Sequence, residues 1–199
     1  MATKEDKALQ LIRKAGVLRP RDLAPHGIPR EILRRLVRKG LVHRVGWGLY
    51  EPAEVVPSEH HDLMEACKKV PGGVVCLISA LEFHGLTTQM PYQVWLAIGT
   101  KAHRPRLQHP PIRIIRFSGD ALEQMIETHR IKGVPVRVTT PAKSVADCFK
   151  YRNKIGIDVA LEALKEYRHA KKGTMDELWE AAVFCRVARV IRPYLESIQ

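Results

Sequence analysis

The sequence predicts an α+β chain: a small N-terminal domain over residues 1–52, then a mixed, mostly helical domain with a small sheet over residues 58–199. Three observations predict it. A length of 199 residues fits two small domains as well as one large one, and 45% hydrophobic residues suffice to fill real cores. Glu51-Pro52-Ala53-Glu54-Val55-Val56-Pro57 reads as a Pro-punctuated connector. Helical and strand periodicities occur on both sides of it.

Several classes drop out on composition. The longest nearly apolar run, Gly73 to Leu81, is far below the roughly 20 residues that span a bilayer. The opening Met-Ala-Thr-Lys-Glu-Asp-Lys has no apolar stretch behind its charges, unlike a secretory signal. A cytoplasmic protein without a membrane partner is expected. Cys67, Cys76, Cys148 and Cys185 lie far apart among apolar neighbours, with no Cys-x-x-Cys pair. Buried reduced thiols are expected there, and no metal site.

The charge is uneven. Residues 1–52 hold 12 Lys and Arg against 5 Asp and Glu, a net of +7, whereas residues 53–199 contribute only +5 of the formal +12. Concentrated positive charge favours polyanions through the field and through counterion release. A membrane surface would call for an amphipathic basic helix with bulky apolar anchors. The N-terminal segment reads instead as compact, with turns in definite places, so nucleic acid is the better partner.

From the N-terminus, Ala8, Leu9, Leu11, Ile12 and Ala15 give Lys4 to Ala15 one apolar stripe, the mark of a helix. Thr3 with Asp6 suits its N-cap, and Gly16 its stop. A short second helix is expected over Pro20 to Ala24, then a turn at Pro25-His26-Gly27-Ile28. Pro29 opens a third helix that runs to Lys39 and ends at Gly40. In it Ile32, Leu33, Leu36 and Val37 form the apolar face, and Arg30, Arg34 and Arg38 repeat at i, i+4, i+8 along one side. Two short strands, Leu41 to Val45 and Leu49-Tyr50, flank Gly46-Trp47-Gly48, whose glycines allow the positive φ of a tight hairpin.

Helix, short helix, turn, helix and hairpin is the order of a winged helix-turn-helix, in which the last helix enters the major groove. Arg30, Glu31 and Arg34 then fall at or near base edges. Arg35, Arg38, Lys39 and Arg44 fall on phosphates, and Trp47 at the wing tip.

The runs Pro29-Arg30-x-x-Leu33-Arg34-Arg35-Leu36 and Gly40-Leu41-Val42-His43-Arg44-Val45-Gly46-Trp47-Gly48-Leu49-Tyr50 resemble the N-terminal winged-helix domain of the AbiEi antitoxins. These are the antitoxin and autorepressor half of abortive-infection toxin–antitoxin pairs. Trp47 stands where relatives often carry Arg, so no arginine is expected in the minor groove; Trp47 either stacks on a sugar or packs between wing and body.

Beyond the connector, Ser58 suits an N-cap for a helix over His60 to Val70, followed by a Gly72-Gly73 turn and a helix over Cys76 to His84. Gln93 to Ile98, Ile112 to Phe117 and Val134 to Thr139 alternate like strands. Thr140 caps a helix that starts at Pro141 and runs through Phe149, and helical patterns follow at Asp158 to Ala170, Met175 to Phe184 and Ala188 to Ser197. Three landmarks here also resemble the AbiEi family: Ser79-Ala80-Leu81-x-x-His84-Gly85-Leu86, Thr140-Pro141-Ala142-Lys143-Ser144-Val145-Ala146-Asp147 and Ile191-Arg192-Pro193-Tyr194-Leu195-Glu196. The resemblance implies a C-terminal antitoxin domain that opposes a nucleotidyltransferase toxin without requiring a stable complex.

Catalytic chemistry has little support. No Asp-x-Asp or Asp-x-Glu occurs, so the paired carboxylates of a nucleotidyltransferase are absent from the sequence. The only Glu-x-Lys, Glu5-Asp6-Lys7, lies in the first helix and not on the strand that a metal-dependent nuclease would need. His60-His61-Asp62 reads as a surface turn, because adjacent helical histidines point about 100° apart. Ser79 and His84 face away from each other on one helix and suit packing or capping. No cofactor and no metal are expected, and no enzyme. Lys101, His103, Arg104, Arg106 and His109 form a second basic cluster, either a solvated loop or a second nucleic-acid contact that would allow a dimer on DNA. Lys143, at the start of the Thr140 helix, is a weaker candidate for an anion site. The reading is thus a DNA-binding antitoxin and autorepressor. A protein-interaction module with incidental charge stands as the alternative, and a metal-dependent nuclease behind it.

Overall fold

The computed structural model describes residues 3–46, 48–53, 60–105, 107 and 109–197. It is α+β, and its contacts divide it into two compact units. One comprises the chain up to Lys69 together with Arg130–Val136; the other comprises Val70–His129 and the chain from Arg137 onward.

In the first unit, α1 (Lys4–Ala15) is held by a capping box: Thr3 Oγ1 accepts from the Asp6 amide at 3.2 Å, and the Asp6 carboxylate accepts from the Thr3 amide at 3.0 Å. The expected second helix is a 3-10 turn over Pro20–His26, ended by Gly27 in the left-handed region. Helix α2 is Glu31–Arg38, shorter than expected because Pro29 and Arg30 precede it. Ile32, Leu33 and Leu36 pack with Ala8, Ile12, Leu18 and Leu23 into one apolar core. Each fully buried Leu or Ile there contributes about 1.5–3 kcal/mol. Val37, expected on that face, is 37% exposed, since the stripe ends one residue earlier.

The hairpin pairs β1 (Val42–Gly46) with β2 (Leu49–Pro52) and carries a register shift between Arg44 and Gly46. Gly48 takes the positive φ of +67°. Gly46 does not, and its lack of a side chain serves close approach instead: a Cβ there would overlap Glu65 and Lys69 of α3 (His61–Lys69). The Ser58 cap and Trp47 lie outside the described residues.

Helix α3 was expected to open the second domain, after a boundary at residues 52–58. It sits in the first unit. Lys68 Nζ reaches Val17 O at 2.6 Å and Asp22 at 3.3 Å, and Arg19 donates to the Lys68 carbonyl. Met64 joins Val17, Leu49 and Val134 in a small cluster of its own.

The second unit is built on a sheet of order β5-β4-β3-β7-β6: β3 (Val74–Val75), β4 (Val94–Gly99), β5 (Ile112–Phe117), β6 (Ile126–Ile131) and β7 (Val134–Thr139). Strands β3 and β6 are additions to the expected three. Strand β4 runs parallel to β5 and antiparallel to β3, which in turn pairs parallel with β7. Around the sheet lie α4 (Leu77–His84), α5 (Pro141–Lys150), the short α6 (Arg152–Ile155), α7 (Ile157–His169), α8 (Met175–Phe184) and α9 (Ala188–Ser197). Helix α5 packs against α4, α7 and α8, and every residue from Ala142 to Phe149 is buried.

Candidate nucleic-acid interface

The core of the first unit decides which way α2 points its charge. Because Leu33 and Leu36 are at most 1% exposed, the remaining face of α2 turns outward, and Arg30, Glu31, Arg34, Arg35, Arg38 and Lys39 are all exposed. Their electrostatic neighbours differ. Arg34 Nη1 lies 3.6 Å from Glu31 Oε2, one turn back, with the two side chains 70% and 52% exposed. Lys39 Nζ lies 2.5 Å and Arg35 Nη1 4.0 Å from the carboxylate of Glu5 on α1. Arg30 and Arg38 have no ion pair among the described residues. The sequence offers Glu5 only within Glu5-Asp6-Lys7, and nothing local links α1 to the end of α2.

On the hairpin, His43 and Arg44 are exposed, and Arg44 Nε donates to Gly46 O at 3.3 Å. Helix α3 supports the hairpin from behind: His61 Nδ1 is 3.3 Å from Glu51 Oε2 and its Nε2 is 3.8 Å from the buried Glu65. Lys69 Nζ lies 2.6 Å from Glu65 Oε1. His61, Asp62 and Glu65 therefore gather ligand-type atoms within 4.8 Å of one another, a grouping that His60-His61-Asp62 did not reveal. Lys69 already neutralises Glu65, so the cluster reads as an ion-pair network that ties wing to helix.

The other proposed cations separate. Lys101 and Arg104 are exposed on the crossover between β4 and β5, where Arg116 Nη1 donates to Gly99 O and Ala102 O at 2.6 and 2.5 Å. Arg106 lies outside the described residues. Lys143 does not belong with them. It is 0% exposed; its Nζ donates to Ala121 O at 2.5 Å and lies over the rings of Phe117 and Phe184 at 4.9 and 5.3 Å. It offers no surface anion site, because its charge is spent inside the core beside Asp147, 3.9 Å away.

Ser79 and His84, weighed in the sequence as a nucleophile and base, are both engaged structurally. Ser79 Oγ accepts from the Trp95 amide at 3.1 Å, and His84 Nε2 lies 2.7 Å from Thr139 O, with burial lowering its pKa. Burial pushes the Cys67 thiol up to about 12 and the other three thiols upward as well. No helix among the described residues is long and apolar enough to cross a membrane.

The architecture of the first unit, a helix, a turn, an arginine-faced helix and a two-stranded hairpin, is compatible with a winged helix. Residues 6–53 match the family model described as "Transcriptional regulator, AbiEi antitoxin", which bears out the resemblance read from the sequence over that stretch. None of the curated proteins matches. Among solved structures, the crystal structure of the RV2827C protein from Mycobacterium tuberculosis is similar in fold: TM-score 0.52 at 13% identity, covering 93% of this chain and 76% of that one.

Proposed function

We propose that the chain is a DNA-binding antitoxin that represses its own toxin–antitoxin operon through the first unit and opposes a nucleotidyltransferase toxin through the second. The observation that carries the reading is the row of exposed cations along α2 beside a hairpin that exposes His43 and Arg44, within the stretch that matches a transcriptional-regulator antitoxin family. Arg30, Glu31 and Arg34 serve at base edges, and Arg35, Arg38, Lys39 and Arg44 on phosphates. Trp47 serves at the wing tip. Lys101 and Arg104 supply a secondary phosphate contact, through which a dimer could grip the operator. The partner in the cytoplasm is double-stranded operator DNA, and the action is regulatory, with no catalytic step, cofactor or metal.

A gel-shift titration of the full chain against its own promoter, at two salt concentrations, tests the reading. A specific shift that weakens steeply with salt supports it. No shift at low salt favours a protein-interaction module. In cells, the full-length Arg30→Ala/Arg34→Ala/Arg38→Ala variant should lose repression yet still rescue from the neighbouring toxin; loss of both with the protein folded would refute the division of labour.

A further inference from the structure

We propose that a cleft in the second unit, bounded by α5, α6 and the turn between α8 and α9, binds a phosphorylated ribonucleoside. The cleft has a volume of about 750 Å³ and lies wholly within that unit. That is the size range of small-molecule sites.

The floor is acidic. Asp147 lines the cleft yet is only 2% exposed. Its Oδ1 accepts from Cys185 Sγ at 3.3 Å. Its Oδ2 has no hydrogen-bond donor among the described residues. The Lys143 ammonium, 3.9 Å away, is beyond hydrogen-bond reach and donates to Ala121 O instead. A buried carboxylate oxygen without a donor is costly, and such an orphan marks a place where a polar partner is missing.

The rim is basic. Lys150 and Arg186 are exposed and Arg152 is half-buried, against one acid, Asp120. Lys150 and Arg186 have no ion pair among the described residues. Val187 and Val190 bring the first turn of the ten-residue α9 to the wall, and its N-terminal dipole adds to the positive field.

These halves select the ligand. A bare phosphate would suit the rim but leave Asp147 unanswered; a polyamine would suit Asp147 and be repelled by three cations. A molecule with an anionic phosphate at one end and hydroxyl donors further in answers both. A carboxylate that accepts from ribose hydroxyls is a recurrent way of holding that sugar. Phe184, with Val187 and Val190, offers an apolar wall for the base. The same chemistry could arrive as a free nucleotide or as the terminal nucleotide of an RNA chain.

Isothermal titration of the full-length protein with ATP, AMP, adenosine, inorganic phosphate and a short oligoribonucleotide tests this. The nucleotides or the oligonucleotide should bind at least about tenfold more tightly than phosphate or adenosine alone. Preference for the free nucleotide or for the oligonucleotide identifies the source. Arg186→Glu should weaken binding about tenfold or more while leaving the unliganded melting temperature in place. Asp147→Asn should remove the preference for ribose over 2′,3′-dideoxyribose. If that variant does not fold, the dideoxynucleotide titrated into wild-type protein reports the same contact. No binding of any nucleotide or oligonucleotide, phosphate alone binding as tightly, or an Arg186→Glu variant of unchanged affinity would overturn the proposal.

Discussion

Arg34 on α2 and Lys39 at its C-terminal cap carry the same charge, yet their neighbours give them different work. Arg34 stands 70% exposed near the start of α2, with Glu31 at 3.6 Å its one ion-pair partner among the described residues. Arg34→Ala should therefore weaken specific operator binding by ~1–3 kcal/mol and relax preference at one position. An unchanged operator-to-random affinity ratio would sink that assignment. Lys39 lies against Glu5 at 2.5 Å and must trade that partner for a phosphate. Lys39→Ala should lower affinity for every duplex and flatten the salt slope by roughly one counterion. Glu5→Gln should do the reverse, releasing Lys39 and Arg35 and raising non-specific affinity, as fluorescence anisotropy with random duplex would show. His84 belongs to the same scale. Burial lowers its folded pKa below the ordinary 6.5, opposed only in part by its hydrogen bond to the Thr139 carbonyl, so the unfolded chain binds the proton more readily. Its contribution to stability is present above pH 6.5 and is lost as pH falls through the lowered value. Urea midpoints followed by circular dichroism should drop over that window, and His84→Gln should remove that part of the slope.

At the scale of elements, α5 joins a sequence landmark to a buried ion pair. Lys143 and Asp147, four residues apart, share a buried face, at 0% and 2% exposure, with Asp147 at the floor of the cleft. Lys143→Met should destabilise by about 3–5 kcal/mol, because it strands a buried carboxylate. Adding Asp147→Leu should return much of that loss, and a denaturant titration with no such recovery would mean the pair is not the source. The β6–β7 hairpin makes a second case. Its turn puts Lys132 and Gly133 at positive φ, 47° and 80°, and sets Lys132 so close to Gly16 at the end of α1 that a Cβ there would overlap it. Gly16→Ala should cost more than about 1–2 kcal/mol from its own positive φ of 69°, before the collision is counted. These elements also show what the sequence made legible. Helix α1, strands β5 and β7, and helices α8 and α9 have the expected bounds, because caps, alternation and apolar stripes are local signals. Strand β6 escaped because its middle, Glu127 to Arg130, is polar at a sheet edge. The sequence does not tie α3 to the first unit, because the contacts of Lys68 with Val17 and Asp22 bridge distant positions. Lys143 looked like a surface cation because nothing within one helix announces that both its faces are covered. Its pairing with Asp147 was present only as an i, i+4 spacing.

For the whole molecule, the two units divide along chemistry as well as along contacts. The first concentrates the formal charge, +7 of +12 within residues 1–52, and presents it on one helix face. The second keeps Cys76, Cys148, Cys185, His84 and the Lys143–Asp147 pair inside, and opens a charged cleft beside Asp147. The exposed arginines of α2 were legible from their i, i+4, i+8 spacing, since three cations on one stripe cannot all enter a core of this size. The cleft was not, because Asp147, Lys150, Arg152 and Arg186 converge only through packing of α5, α6 and the α8–α9 turn. The most direct test of the account is fluorescence anisotropy of the full chain on its own promoter duplex and on a scrambled duplex, across a salt series, for wild type and the Arg30→Ala/Arg34→Ala/Arg38→Ala variant. The account predicts tighter binding to the promoter, a steep salt slope, and loss of both in the folded variant. Equal affinity for the two duplexes, or a variant that binds the promoter as wild type does, would contradict it.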